Sequence, residues 1–188
     1  MHGELPLNAR AADDGRGTAR GAFVVRPAGA GETATVAGLF RDYADELGID
    51  LSFQGFAAEL AGLPGAYAPP RGTLLLAMSA DGSPLGCVGV RPLGEPGTCE
   101  MKRLHVRAEG RGHGVGRALA ASAVEWAARA GYARMRLDTL PTMRAAQSLY
   151  AALGFEPIPA YYDTPIAGTV FLQKALRPWA PAPRPVSP

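Results

Sequence analysis

The chain has 188 residues, 47% of them apolar and 7% aromatic, enough for one domain with a substantial core and too much for whole-chain disorder. Its 24 glycines and 17 prolines follow no three-residue period, which excludes collagen. The formal charge of +2 lies beyond residue 176: residues 22–176 carry 14 basic and 14 acidic side chains, so no basic nucleic-acid surface is indicated.

Residues 1–21 show neither helical nor strand periodicity and no apolar signal region, and are read as a disordered extension. Residues 22–26 then form a short strand ended by Pro27. Val36, Leu39, Phe40, Tyr43 and Leu47 recur at a 3.6-residue period, so 32–47 is an amphipathic helix stopped by Gly48. Residues 53–63 form a second, shorter helix. Residues 73–78, 85–91 and 99–107 are strands, with Asp81-Gly82 and the segment 92–97 as turns. A helix over 115–130 shows its stripe at Val115, Leu119, Ala123, Trp126 and Ala130. A strand over 133–139, a helix over 142–153 with Gly154 as its left-handed stop, and strands at 155–158 and 169–172 complete the core. The end, 177–188, has five prolines in twelve residues and is read as forming neither helix nor sheet, a disordered tail.

No stretch approaches the ~18 apolar residues of a membrane span. Cys87 and Cys99 make no metal-ligand set with the three scattered histidines, so no metal is expected. The two cysteines flank a hairpin turn, which leaves pairing across it open; a cytoplasmic protein with reduced thiols is the expectation. Seventeen of the nineteen basic residues are Arg, the bias of a GC-rich, bacterial genome.

The segment Arg111-Gly112-His113-Gly114-Val115-Gly116-Arg117 lies between a strand and a strong helix. Glycines there turn backbone N–H groups inward, and the helix start adds free donors and partial positive charge: a pyrophosphate cradle flanked by two arginines. The spacing is neither a dinucleotide fingerprint nor a Walker loop.

Arg111-x-x-Gly114-x-Gly116 resembles the acetyl-CoA loop of the GNAT superfamily of N-acetyltransferases. Residues 99–106 are similar to that family's fourth strand, and Leu149-Tyr150-Ala151-Ala152-Leu153-Gly154-Phe155 to its Leu-Tyr-x-x-Leu-Gly-Phe motif. The order of elements over 22–176 agrees. The resemblance implies an α/β fold: a six- to seven-stranded mixed, mostly antiparallel sheet with flanking helices and splayed fourth and fifth strands. It implies acetyl-CoA as co-substrate, held by the backbone of Leu104, His105 and Val106 and by residues 111–117. A backbone N–H of that strand stabilises the oxyanion. The acceptor is a primary amine of a small molecule, amino acid or peptide; a non-catalytic acyl-CoA-binding or regulatory module is the alternative. Relatives pair as dimers, but no segment here marks a homodimer interface.

Glu100 sits eleven residues before Arg111, where histone-modifying members carry their catalytic glutamate; it is the base, or a strand glutamate paired with Arg91, Lys102 or Arg103. His105 is a second candidate base or a satisfied histidine. Tyr150 stands where the family places its general acid. Met143 departs from the family, which often has Asn seven residues before this tyrosine. The acidic run Asp42, Asp45, Glu46, Asp50 and Glu59 is either a field that attracts a cationic amine or a solvated helix face. Phe53, Gln54, Phe56, Tyr67 and Tyr161-Tyr162-Asp163 are candidate walls of the acceptor site.

Overall fold

Thr73–Ser79 is an almost unbroken apolar run, the pattern of a strand covered on both faces, and it forms β2, an inner strand one place from the edge of a seven-stranded sheet. A computed structural model of the chain describes residues 22–177; the readings of residues 1–21 and of the proline-rich end past 177 lie outside the described residues. In chain order the elements are β1 (Phe23–Pro27), α1 (Thr33–Leu47), α2 (Phe56–Ala61), β2, β3 (Pro84–Pro92), β4 (Thr98–Val106), α3 (Val115–Arg129), β5 (Arg134–Thr139), α4 (Arg144–Ala152), β6 (Glu156–Pro157) and β7 (Val170–Ala175). The sheet order is β1-β2-β3-β4-β5-β7-β6, antiparallel throughout except for the β4–β5 pair. This is the mixed α/β architecture that the element order predicts.

Helices cover both faces. On one, Leu119, Ala120, Ala123 and Ala127 of α3 pack on Val88, Val90, Met101, Met135 and Leu137; the alanines let the helix sit close to the strands. On the other, Val36, Leu39 and Phe40 of α1 pack on Leu76, Cys87 and Tyr67. The cysteines therefore lie in different cores. Cys87 is registered with His105 and Cys99 with Pro92, both thiols are free and buried, and no bridge spans the hairpin.

Several boundaries shift by one or two residues, and two elements differ by more from the sequence reading. The helix expected over 53–63 is broken by Gly55, whose φ of 69° separates a 3-10 turn at Ser52–Gln54 from α2. The last strand runs on to Ala175 because β5 pairs with it over its whole length, from Arg134↔Ala175 to Thr139↔Val170.

Two irregularities of β4 create the site. Pairing with β5 covers only Thr98–Glu100 against Arg134–Arg136, after which the strands part. On the other edge the register jumps between Cys87↔His105 and Gly89↔Lys102, leaving Val88 opposite two residues, Arg103 and Leu104. This is a β-bulge, and Arg103 adopts φ 58°, the only left-handed non-glycine among the described residues. The extra residue changes the parity of the strand. Leu104 and Val106 join Cys99 and Met101 on the α3 face, while Arg103 and His105 share the α1–α2 face with Glu100 and Lys102.

Candidate active site

The start of α3 is built from backbone. Gly114 caps it at φ 81°, a conformation that costs an L side chain roughly 1–2 kcal/mol. It offers no capping side chain, and the first bond inside the helix is Ala118 N–H to Gly114 O at 3.0 Å. Among the described residues the N–H groups of Val115, Gly116 and Arg117 have no acceptor, and they converge with the helix dipole on one spot. His113 Nδ1 lies 2.8 Å from Arg111 O, tying the loop to itself. Arg111 donates from Nε to Val106 O at 2.9 Å and reaches Glu46 of α1 with Nη2.

From that spot a groove of about 410 Å³ runs between the strand ends. Leu104, His105 and Val106 form one wall, Ala145, Ala146 and Leu149 of α4 the other, and Tyr43, Glu46 and Leu47 of α1 close its far side. Arg111 and Gly116 stand at its head. The edge of β4 that faces β5 is unpaired here, so backbone hydrogen-bonding groups border the groove.

Across the splay lies a second cavity, of about 430 Å³, lined by Phe53, Gln54, Tyr161 and Tyr162 together with Arg91, Lys102, Arg136, Glu95 and Glu100. Four of the expected wall residues are here. Phe56 instead stacks on Arg103, its ring centroid 4.9 Å from the guanidinium carbon, and Tyr67 is core, packed edge-on against Phe40.

Glu100 is 2% exposed and its carboxylate is fully engaged. Arg91 donates to Oε2 from Nε at 2.9 Å, with its Nη2 ion-paired to the same oxygen at 2.8 Å, and the Tyr161 hydroxyl donates to Oε1 at 2.8 Å. Of the partners considered for it, Arg91 is the one it takes. Burial and the charge of Glu100 push the Tyr161 phenol far above its ordinary range. Tyr150 does not border the groove. It is 6% exposed, set edge-on to Phe155 in the α3-side core, and burial raises its pKa well above that of a free phenol.

Three members of the acidic run are counter-charges: Asp42 pairs with Arg107 at 2.7 Å, Glu46 with Arg111, and Glu59 with Arg103 at 2.6 Å, while Asp50 accepts from Ser52. Asp45, Glu46 and Asp50 are exposed, so that part of the run is a solvated surface, and only the Glu59 side chain, 9% exposed, is shielded in its pair. His105 is buried, with Nδ1 3.6 Å from Glu46 Oε2. Burial lowers its pKa, opposed in part by Glu46 and Asp42. Glu59 is pushed up by burial, but the Arg103 hydrogen bonds and charge outweigh this and hold it below the usual carboxylate range.

These shifts fix a sign. A histidine that resists protonation when folded binds its proton preferentially in the unfolded chain, so its contribution is complete above about pH 6.5 and is lost on acidification. Glu59 adds a second loss further down, as pH falls from about 4.3 through its depressed value. Thermal melts are therefore expected to show a falling Tm from about pH 6.5 downward, steepening below about pH 4.5; a Tm flat across that range would contradict both assignments.

Sequence reasoning missed the residue opposite Lys102. Asp138, near the end of β5, receives Lys102 Nζ at 2.9 Å across the gap where the strands separate. Parallel register continued past Glu100↔Arg136 brings 102 to 138. Only the strand pairing could have signalled it, since 36 residues separate them in sequence.

A bulged strand splayed from its parallel neighbour, with free helix-start amides at the mouth of the gap, is the architecture of an acyl-CoA N-acyltransferase. The sequence matches the acetyltransferase (GNAT) family over residues 37–155, and the chain belongs to that family. It is similar to an uncharacterized N-acetyltransferase of Schizosaccharomyces pombe, 43% identical over 135 residues covering 72% of this chain and 83% of the relative. The human N-acetylaspartate synthetase is 32% identical over 97 residues, 52% of this chain and 32% of that protein. Among solved structures, an acetyltransferase of the GNAT family from Staphylococcus aureus has the same fold: TM-score 0.69 at 16% identity, covering 83% of this chain and all of that one. Among the described residues no helix is long and apolar enough to cross a membrane.

Proposed function

We propose that the chain transfers the acetyl group of acetyl-CoA to a primary amine of a small molecule, amino acid or peptide, by direct attack of the amine on the thioester. The observation that carries this reading is the meeting of two cavities at the β4–β5 splay, one headed by free helix-start amides and the other rich in paired charges. The first suits a diphosphate followed by an extended arm. The amides of residues 115–117, with Arg111 and Arg117, bind the diphosphate, and the open backbone of Leu104–Val106 pairs with the amides of the arm. An N–H of that edge, aimed at the thioester oxygen, stabilises the charge that develops there and is worth about 3 kcal/mol of barrier. Tyr150 lies outside the lining of this groove, so the leaving thiolate takes a proton released by the attacking nitrogen.

The acceptor enters from the other side. The cations Arg91, Lys102 and Arg136 on that wall each hold an acidic partner, Glu100, Asp138 and Glu95, an array of both signs that suits an amine also bearing a carboxylate. The N-acetylaspartate synthetases among the relatives make aspartate an obvious probe.

Calorimetry with acetyl-CoA, followed by thiol release across a panel of L-aspartate, L-lysine, spermidine, kanamycin and a glycine-terminated peptide, tests the proposal. Saturable binding and amine-dependent thiol release are expected. Binding without release from any of these amines points to the non-catalytic module, and no binding at millimolar cofactor overturns both.

A further inference from the structure

A small cavity of about 20 Å³ shares lining residues with both large ones and is close in size to an amino group or a single water. It shares Tyr43, Leu140 and Met143 with the co-substrate groove, and Phe53, Gln54 and Tyr162 with the acceptor cavity. Asp138 lines it, at the point where β4 and β5 have just parted. Gln54 lines it too, and its Oε1 is buried with no hydrogen-bond partner.

Resting on the transferase reading, we propose that Asp138 is a catalytic residue: its carboxylate binds the acceptor's ammonium group at this junction and takes the proton that must leave before attack. Gln54 Oε1 accepts a second N–H and turns the nitrogen toward the thioester. Lys102 holds the carboxylate in place from the β4 side.

Position selects Asp138 over Glu100. Glu100 lies four residues along β4 from Leu104 and the Lys102–Asp138 level only two, which brings Asp138 about 7 Å nearer at ~3.3 Å per residue. Engagement selects it as well. Glu100 accepts two hydrogen bonds, is ion-paired with Arg91 and has a side chain 2% exposed, while the Asp138 side chain is 14% exposed and accepts a hydrogen bond from Lys102. Protonating Glu100 breaks its ion pair with Arg91. The groups that face Asp138 are Lys102 of β4, Tyr43 of α1, Tyr150 of α4, and Tyr161 and Tyr162 of the segment before β7. All four phenols have raised pKa values, burial first among the causes, and stay neutral across the physiological range, so none competes as a base.

The step balances. The ammonium nitrogen gives one proton to Asp138, and its freed lone pair forms the N–C bond. The C–S bond breaks with its electron pair on sulfur, which ends with the nitrogen's second proton. Asp138 returns its own proton to water, so the products are the amide, the free thiol and one proton.

The test is kcat against pH, from about 6 to about 10, for the wild type, Asp138→Asn and Glu100→Gln, with whichever panel amine the wild type acetylates fastest. For Asp138→Asn turnover should fall about 100-fold near neutrality, and the deficit should close tenfold per pH unit toward the acceptor's own pKa, where free amine is supplied by solution. For Glu100→Gln the deficit should be the same at every pH. A pH-independent deficit in Asp138→Asn, a deficit under about threefold at neutrality, or the closing deficit appearing in Glu100→Gln instead would each overturn the assignment. Acetyl-CoA binding checks folding, and Asp138→Ser takes the same series if the Asn variant does not bind. Wild-type thiol release, measured alongside, reports on the transferase reading separately.

Discussion

Glu59→Ala is expected to lower Tm by about 10 °C, because it leaves a buried guanidinium without its counter-charge. Arg103 is 4% exposed and Glu59 holds it in a forked pair, with Nε to Oε1 at 3.2 Å and Nη2 to Oε2 at 2.6 Å. The Tyr67 hydroxyl donates to the same carboxylate at 2.5 Å, and the guanidinium is stacked between Tyr43 and Phe56. Breaking such a pair from one side costs about 3–5 kcal/mol, far more than an exposed pair contributes. The comparison that isolates the charge is the double variant Arg103→Met with Glu59→Leu, which removes both ions and keeps apolar volume. It should regain most of the lost Tm, since a buried pair seldom outperforms a well-packed apolar replacement. If the double variant melts as low as Glu59→Ala, the stranded charge is not the cause of the loss, since the double variant carries no unpaired ion. Full recovery is not expected, because the buried Tyr67 hydroxyl loses the acceptor that Glu59 gives it.

That pair also marks the border of what the sequence reveals. The order of elements is legible because apolar spacing and glycine punctuation agree: the α3 stripe at Val115, Leu119 and Ala123 faces the sheet as its period requires. The Gly114–Gly116 start of α3 is legible for a similar reason, since it depends on local backbone chemistry. The bulge is not. Nothing in Cys99–Val106 distinguishes Arg103 as a left-handed residue, and without that one extra residue alternation assigns Leu104 and Val106 to the wrong face. Charge partners are equally hidden. Arg103–Glu59 and Lys102–Asp138 join residues 44 and 36 apart, chosen by strand pairing and helix packing that no local pattern encodes. For the same reason the acidic run reads from sequence as a surface property, yet Asp42, Glu46 and Glu59 each neutralise an arginine of the β4–α3 region. Gln54 and Tyr162 were visible as candidates, but their meeting beside Asp138 was not.

Gly116→Leu should abolish acetyl-CoA binding while leaving the fold intact, and it separates the site from the scaffold more cleanly than any charge change. Gly116 lies in the first turn of α3 and borders the groove. A Cβ at this position sits 3.5 Å from Val106 Cγ2 and 4.0 Å from Leu149 Cδ2, ordinary contact distances, so alanine fits. Those two neighbours are the opposite walls of the groove, one at the end of β4 and the other on α4. Any longer side chain therefore extends into the space between them. Leucine is also a better helix former than glycine by roughly 1 kcal/mol, which offsets much of the crowding. Calorimetry is expected to show binding weakened at least about 100-fold, or about 2.7 kcal/mol, with Tm within a few degrees of the wild type. Gly116→Ala should bind within about tenfold of the wild type, because its methyl group stays at contact distance. Equal affinity in the Leu variant and the wild type would place the co-substrate elsewhere, and with it the junction at Asp138. A graded loss from Gly to Ala to Leu at constant stability would tie the groove between β4 and α4 to acetyl-CoA through volume alone, independently of any charged residue at the reacting centre.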